Sequence, residues 1–321
     1  MDANGATGSP DDVHLLVTGS SGLIGTALVD TALGTGHTVT RLVRADSVVH
    51  PARVGVTDVT WDPAAATVDT VGLRAAGPFD GVVHLAGAGV GDRRWSTDRK
   101  REIRQSRTGS TDLVARTIAA CTPRPVVLVS SSAVGFYGDR GDVVLTEESA
   151  AGSGFLAEVC AAWEHATAPA VAAGIRTVLL RTGIVLSASG GALAKQLPLF
   201  RLGLGGTIGS GRQYRSWISL DDQVAAVLHC LGDETLSGPV NATSPTPVTD
   251  AELAKAMGAA LHRPSFLAVP ASAIKLVLGS EMAADLVLAS QRVLPGKLTG
   301  AGFTFGHTDV GEAVRSALGA T

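Results

Sequence analysis

Short apolar runs alternate with longer amphipathic stretches from Val13 to about Arg181. The short runs are rich in Val and Leu, and their near-continuous apolar character predicts strands that are covered on both faces. Strands are predicted over residues 13–18, 38–43, 54–61, 81–86, 126–131 and 177–180. Helical runs begin near Leu23, Thr97 and Leu156 and fill the intervals. This order predicts repeated βαβ units and therefore an α/β fold with a doubly wound parallel sheet.

The pattern becomes less regular after residue 183. A glycine-rich stretch covers residues 203–211, a helix signal follows Asp221, and further helical runs cover 271–278 and 281–289. We therefore expect three parts: a disordered tail over residues 1–12, a cofactor-binding domain over 13–183, and a smaller substrate-covering region over 184–321. Some of the last part is expected to return to the sheet.

Composition narrows the range of partners. The 321 residues carry a formal net charge of -3, so no basic field attracts nucleic acid, and no apolar run is long enough to cross a membrane. Cys121, Cys160 and Cys230 lie far apart and show no metal-ligand spacing, which predicts a reducing, cytoplasmic compartment. The eight histidines show no paired ligand spacing either, so no metal site is expected.

A glycine triplet follows the first predicted strand. Gly19 permits a tight turn, Gly22 lets the backbone approach a pyrophosphate, and Gly25 allows the next helix to pack closely on the strand. The helix N-terminus then faces the phosphate charge. With a strand before it and a helix after it, this turn predicts a Rossmann-type dinucleotide site, whereas a purely structural turn is the alternative. The residues of the turn assigned to the cofactor are Gly19, Ser20, Ser21, Gly22, Leu23 and Ile24.

The end of the second strand favours NADP(H) over NAD. Enzymes that use NAD usually place an acid there for the ribose hydroxyls, and enzymes that use NADP tend to place an arginine. Here Val43 occupies the place of the acid, and Arg44 can hold the 2′-phosphate. The alternative is that Arg44 is a solvated charge and that nearby Asp46 accepts the ribose.

Several motifs together resemble the extended short-chain dehydrogenase/reductase superfamily, in its NAD-dependent epimerase/dehydratase group. Beyond the glycine triplet these are HLAG at 84–87 and VSSSAVGFYG at 129–138. More narrowly, the chain resembles an atypical subfamily that is described as epimerase family protein or cell-division inhibitor. The segments that carry this narrower resemblance are DRRW at 92–95, LAEVC at 156–160, RTGIVL at 181–186, GSGRQ at 209–213, SWISLDD at 216–222, SQRVLP at 290–295 and GFTF at 302–305.

The resemblance implies roles for further residues. Asp62 would meet the adenine edge, and Ser132 matches the catalytic serine that binds a substrate carbonyl or hydroxyl. The remaining cofactor contacts that it implies are Leu85, Ala86 and Gly87 along the adenosine, Ser130 beneath the nicotinamide and Ile184 against its ring. Because many extended members pair through helices, a homodimer is also expected.

The catalytic tyrosine and lysine of this superfamily are missing. A phenol normally transfers the proton while hydride moves, and a lysine four residues later lowers its pKa. Leu156 and Cys160 stand at these two positions, and Arg107 stands where an asparagine completes the proton relay. Neither Tyr137 nor Tyr214 is followed by a lysine four residues later.

Two functions remain open. In the first, the chain is an NADP-dependent oxidoreductase or epimerase in which Ser132 orients the substrate and Tyr137 supplies the proton. In the second, it is a non-catalytic or regulatory NADP-binding protein that acts through a protein partner. For the enzyme, the substrate is a small molecule. If Arg94, Arg107 and Trp217 converge with the 203–214 loop, the site favours an anionic or aromatic substrate.

Overall fold

A computed structural model describes residues 12–46 and 53–319 and shows a parallel sheet covered by helices on both faces. The predicted tail therefore lies outside the described residues except for Asp12. The strands are β1 His14–Thr18, β2 Thr38–Arg44, β3 Val56–Asp62, β4 Thr67–Val68, β5 Gly81–His84, β6 Val127–Ala133, β7 Val144–Leu145, β8 Arg176–Thr182, β9 Ile184–Leu186, β10 Gly206–Ile208, β11 Tyr214–Arg215, β12 Trp217–Ser219, β13 Gly238–Ala242, β14 Val248–Thr249, β15 Leu267–Val269 and β16 Arg292–Val293.

The main sheet has eight strands in the order β13-β8-β6-β5-β1-β2-β3-β4. All neighbours are parallel except β3 and β4, which pair antiparallel. The chain runs outward from β1 in one direction through β2 and β3, and in the other through β5, β6 and β8. The strand order therefore reverses at β1, where the loops after β1 and β5 meet, and ligands of such sheets bind at this point. The predicted α/β, doubly wound fold is confirmed.

Helices occupy both faces of the sheet and the C-terminal region. They are α1 Leu23–Gly34, α2 Thr70–Ala76, α3 Thr97–Ala119, α4 Phe155–His165, α5 Ala168–Ala172, α6 Gly191–Arg201, α7 Leu220–Gly232, α8 Asp250–Ala260, α9 Ala271–Leu278, α10 Ser280–Met282, α11 Gly296–Gly300 and α12 Val310–Ala317. A 3-10 helix covers Val134–Tyr137, and a π-helix covers Ala283–Leu288. No described helix is both long and apolar enough to span a membrane.

Alternation along the central strands distributes the core between the two faces. Leu16 of β1 and Leu128 of β6 pack with α3 and α5. Their neighbours Leu15 and Val129 pack on the opposite face with α1 and α7. Since successive side chains of a strand point to opposite faces, only strands that are apolar at nearly every position can bury both sides.

The region after residue 183 has its own apolar cluster and also contributes to the sheet. Trp217 is fully buried between α6, α8 and α12, and its Nε1 donates to the carbonyl of Thr246 at 3.0 Å. Helix α8 begins with a capping box between Thr249 and Glu252, which satisfies amides at its first turn. Strand β13 pairs with β8 at the edge of the main sheet.

Several predicted boundaries differ from the structure for local reasons. Strand β5 ends at His84, because the next two amides, those of Leu85 and Ala86, donate to the hydroxyl of Thr18. Strand β3 begins at Val56 because Gly55 has a positive φ of 78°. The helix predicted over 281–289 divides into α10 and the π-helix.

Candidate functional site

The glycine turn lies at the carboxyl end of β1 and leaves no room for side chains. Gly19 has φ 68°, and a Cβ on it would come within 2.7 Å of the carbonyl carbon of Leu85. A Cβ on Gly25 would overlap the carbonyl oxygen of Gly19. Gly22 caps α1 and donates its amide to the same oxygen at 3.0 Å. The backbone of the turn is therefore packed directly against the loop that follows β5.

The other residues of the turn lie between β1 and the first turn of α1. Ser20 is buried and Ser21 is exposed, while Leu23 and Ile24 form the first turn of α1. Helix α1 begins without a side-chain cap and without an acidic residue in its first turn. Its N-terminal amides and the positive end of its dipole therefore face the turn without a competing negative charge.

Arg44 and Asp62 follow neighbouring strands at the same edge of the sheet. The Arg44 side chain is 62% exposed and forms a 3.5 Å ion pair with the carboxylate of Asp46, which is 77% exposed. Such a pair between exposed side chains contributes little and can be exchanged for a ligand. Asp62 accepts the amides of Ala64 and Ala65 at 2.9 and 3.1 Å, so its carboxylate stabilises the turn after β3.

The loop after β5, which contains Leu85, Ala86 and Gly87, rests on a buried polar pair. Thr18 accepts the amides of Leu85 and Ala86, and its hydroxyl lies 2.7 Å from Nδ1 of His84. Burial lowers the pKa of His84 to about 4, so its imidazole is neutral near pH 7. This pair fixes the loop against which the glycine turn packs.

Ser130 has an unpartnered hydroxyl in the middle of β6. The residue is 1% exposed, and its Oγ has no hydrogen-bond partner among the described residues. A buried polar atom without a partner is costly and is often completed by a ligand. The contact beneath the nicotinamide that the resemblance implies for Ser130 stays a prediction.

Ser132 and Tyr137 belong to a buried network. The Ser132 hydroxyl donates to Glu164 at 2.7 Å, and Arg181 donates to the same carboxylate twice at 2.8 Å. Arg181 also donates to the Tyr137 hydroxyl at 3.0 Å, which in turn donates to Oδ1 of Asn241 at 2.7 Å. Tyr137 is 0% exposed.

This placement argues against the catalytic roles predicted for Ser132 and Tyr137. The hydroxyl of Tyr137 is enclosed, and burial raises the pKa of the phenol despite the nearby Arg181. A cleft lies beyond the end of β6, and neither Ser132 nor Tyr137 is among the described residues that line it. The Ser132 hydroxyl instead joins β6 to α4, and the Tyr137 hydroxyl joins the 3-10 helix to β8 and β13, so proton transfer to a substrate would require this network to open.

The adjacent cleft has a volume of about 240 Å³ and lies beyond the end of β6. One face of α4 forms a wall, through Leu156, Val159, Cys160 and Trp163, whose spacing of three and four residues places them on one side of a helix. Ile184 also lines the cleft. The mouth is completed by residues of the π-helix, including Asp285 and Leu286.

Leu156 and Cys160, which stand at the positions of the missing tyrosine and lysine, both line this cleft. Leu156 has no proton to transfer. Burial raises the pKa of Cys160 to about 12, so its thiol is neutral near pH 7. The usual acid–base pair is therefore replaced by two uncharged side chains.

The side chains expected to converge on the substrate do so only in part. Arg107 lines the cleft, whereas Trp217 is buried in the core, and Arg94 is not among the lining residues. Tyr214 and Asp285 line the cleft without having been singled out for chemistry. The sequence feature that points to Tyr214 is the glycine-rich loop before it. No local pattern pointed to Asp285, which is brought there by the π-helix.

A larger hollow of about 580 Å³ lies at the opposite edge of the sheet. It is formed by α2, the end of α3 and the segment around Phe79 that leads into β5. It contains none of the residues assigned to the cofactor or to catalysis. We therefore take the cleft at the carboxyl edge as the candidate site. Over the described residues, no group of three or more His, Cys, Asp or Glu side chains could hold a metal ion.

Comparisons with known proteins identify the family of this chain. The model of the NAD dependent epimerase/dehydratase family matches residues 15–241, and that of DUF1731, a domain of unknown function, matches residues 269–317. An epimerase family protein of Mycobacterium bovis is 43% identical over 298 residues, which cover 93% of this chain and 95% of the relative.

Two solved structures are also similar. Human epimerase family protein SDR39U1, crystallised with NADPH, has a TM-score of 0.82 and 31% identity, and the match covers 95% of this chain and 98% of that one. A nucleoside-diphosphate sugar epimerase from Corynebacterium glutamicum has a TM-score of 0.77 and 38% identity, and the match covers 96% of this chain and 59% of that one.

Proposed function

Because the chain belongs to the NAD-dependent epimerase/dehydratase family, we propose that it binds NADPH along the carboxyl edge of the sheet. The observation that carries this proposal is the uncapped, acid-free N-terminus of α1 behind a turn that only glycine can form. The pyrophosphate would lie on the amides between Gly19 and Ile24. The unpartnered hydroxyl of Ser130 and the side chain of Ile184 would meet the nicotinamide end.

We propose NADPH rather than NADH because of Arg44. Its guanidinium is exposed at the end of β2 and, among the described residues, pairs only weakly with Asp46, so it is available to a 2′-phosphate. The NADPH in the human SDR39U1 structure supports the same choice.

Titration of NADPH and NADH into the protein, followed by nicotinamide fluorescence, tests this proposal. We expect NADPH to bind more tightly. Arg44→Ala should weaken NADPH by about 10- to 100-fold, the usual worth of a charge-assisted hydrogen bond, and leave NADH within about twofold. Arg53→Ala, which removes an exposed arginine paired with Asp30, is the matched control and should change neither affinity. If NADH binds at least as tightly as NADPH, the assignment is wrong.

For the chemistry, we propose an oxidoreductase or epimerase with a rearranged acid–base set. Bound NADP(H) would exchange the hydride with the substrate, so the protein has to hold the substrate and exchange a proton with it. Ser132 and Tyr137 are committed to the buried network, and Cys160 is neutral. Tyr214 and Asp285 are the remaining side chains of the cleft with a proton site suited to this task.

A non-catalytic, regulatory role is the second candidate. The observation that favours it is the occupation of the tyrosine and lysine positions by Leu156 and Cys160. A pure binding protein would gain about 2.7 kcal/mol of stability at an NADPH concentration 100 times its Kd, with no oxidation of NADPH by any carbonyl compound. Turnover that Tyr214→Phe or Asp285→Asn abolishes would instead establish the enzyme.

A cytoplasmic location and a homodimer complete the proposal. The three cysteines are free thiols in the structure, which is compatible with a reducing compartment. Light scattering tests the dimer, since a monomer mass across the micromolar concentration range would contradict it.

A further inference from the structure

Arg107 has no carboxylate partner among the described residues, unlike the most deeply buried arginines. The four buried arginines are all paired with an acid: Arg41 with Asp58, Arg99 with Glu102, Arg181 with Glu164 and Arg215 with Asp250, at 2.6 to 2.9 Å. A buried cation normally requires such compensation. Arg107 is half-buried and lines the cleft without it.

The Arg107 side chain is nevertheless held in one place. Its Nη1 donates to the carbonyls of Ala88 and Ile103 at 2.9 and 3.2 Å, and its guanidinium carbon lies 5.0 Å from the ring centroid of Trp163. No hydrogen bond from Nε or Nη2 to another described residue is present. Burial lowers the pKa of Arg107, although the group stays charged. One side of the fork is therefore anchored and the other retains donors at the cleft.

Trp163 adds a second donor without an acceptor. The residue is 6% exposed, and its indole Nε1 has no partner among the described residues. It belongs to the same wall of the cleft and stacks on the same guanidinium. A buried N–H of this kind usually finds an acceptor.

Among the described residues, the other two charged groups of the cleft each have a partner, although only one oxygen of Asp285 accepts a hydrogen bond. Arg215 is paired with Asp250, and the Asp285 carboxylate accepts the amide of Leu156 at 3.2 Å. Most of the remaining lining is apolar, from residues such as Val134, Val159 and Leu286. A ligand would therefore meet a donor pair at one end and apolar walls around its body.

We propose that Arg107 and Trp163 form an anchoring site for the carboxylate of a small substrate with an apolar body. This inference rests on the proposed function, because it names the substrate class of the same cleft. A planar guanidinium matches the two oxygens of a carboxylate. The apolar side chains around this donor pair suit the uncharged body of such an acid.

Calorimetric titration of the NADPH-saturated protein with acid and amide pairs tests the site. The probes are benzoate against benzamide and butyrate against butyramide, since each amide keeps the shape of its acid and removes the charge. We expect at least one acid to bind at least tenfold more tightly than its amide. Equal affinities within both pairs overturn the proposal.

Variants identify the anchor. Arg107→Gln should weaken the preferred acid at least tenfold and leave the Kd of NADPH within about twofold. Trp163→Phe keeps an aromatic ring and removes the indole donor, so it should weaken the acid several-fold. The control is Arg116→Gln on the exposed side of the same helix, where Arg116 pairs only with Asp112, and it should change nothing. If Arg107→Gln does not fold, Arg107→Lys, which keeps the charge and loses the fork, should still weaken the acid.

Two further outcomes separate this inference from the proposed function. If Arg107→Gln weakens NADPH more than tenfold and leaves acid binding unchanged, the guanidinium serves the cofactor and the inference fails while NADPH binding stands. If the unaltered protein does not bind NADPH, the proposed function fails, and the same acid and amide pairs titrated into the cofactor-free protein decide the carboxylate site.

Discussion

Glu164 and Arg181 form a two-pronged ion pair in the protein interior, with both hydrogen bonds at 2.8 Å. The two side chains are 10% and 3% exposed. Arg181 also stacks on Phe136, with its guanidinium carbon 3.5 Å from the ring centroid. The pair therefore ties helix α4 to strand β8 directly beneath the wall of the candidate cleft.

Glu164→Gln should lower the free energy of unfolding by about 3–5 kcal/mol. The substitution leaves the buried Arg181 charge without compensation, and breaking such a pair from one side has this usual cost. Urea unfolding measures the change. Glu158→Gln is the matched control in the same helix, because Glu158 forms only a 3.6 Å pair with Arg104 and both side chains are exposed. It should cost less than about 0.5 kcal/mol. A loss below about 1 kcal/mol for Glu164→Gln would contradict the importance of the pair.

Tyr137→Phe should reduce stability rather than remove a catalytic proton. The substitution leaves the buried Oδ1 of Asn241 without the hydroxyl that donates to it, at a cost of about 1–3 kcal/mol. We expect NADPH affinity, and turnover of any substrate that is found, to stay within about twofold. Tyr214→Phe is the control for stability and should change it by less than about 0.5 kcal/mol. Complete loss of turnover in a fully folded Tyr137→Phe protein would restore the catalytic role predicted from sequence.

The fold could be predicted because local patterns carry it. Strands covered on both faces must be apolar at nearly every position, and a glycine triplet between strand and helix has few structural meanings. The network around Tyr137 could not be predicted in this way. Its hydrogen bond to Asn241 joins residues 104 positions apart, and no periodicity or spacing records such a contact.

The candidate site was predictable to different degrees at its two ends. Gly19 follows β1 and Arg44 ends β2, so sequence alone places both residues at the carboxyl edge of the sheet. At the substrate end, Arg107 had been expected to converge with Arg94 and Trp217, yet only Arg107 lines the cleft. Whether an arginine is paired depends on which acid the tertiary structure brings beside it, and the sequence does not contain that information in local form.

Gly25→Ala should weaken NADPH binding and destabilise the fold by about 1–3 kcal/mol. A Cβ at this position would overlap the carbonyl oxygen of Gly19, so the turn or the helix must move. Gly34→Ala at the other end of α1 is the matched control, because a Cβ there meets nothing within 4 Å. It should raise stability by a few tenths to about 1 kcal/mol through the lower entropy of the unfolded chain. Thermal unfolding with and without NADPH measures both effects, and equal behaviour of the two variants would refute the packing role of Gly25.

The buried hydrogen bonds of His84 with Thr18 and Ser110 have a defined proton arrangement. Because Thr18 accepts the amides of Leu85 and Ala86, its own hydroxyl donates to Nδ1 of His84. Nε2 of His84 then carries the hydrogen and donates to the hydroxyl of Ser110 at 3.3 Å. Protonation of Nδ1 would place two donors against each other and a charge in the core.

Acid should therefore destabilise the protein through His84. The folded protein lowers the pKa of this imidazole from 6.5 to about 4, so unfolding takes up a proton between these pH values. The stabilisation is fully present above about pH 6.5 and is lost as the pH falls toward 4, by about 3 kcal/mol in all. His84→Asn keeps an acceptor for Thr18 but cannot titrate. It should be less stable than the unaltered protein at pH 7, and the difference should shrink by about 3 kcal/mol by pH 4. Urea unfolding of both proteins at each pH removes the contribution of the carboxylates, which titrate in both. A difference that stays constant from pH 7 to pH 4 would show that His84 is not the group responsible.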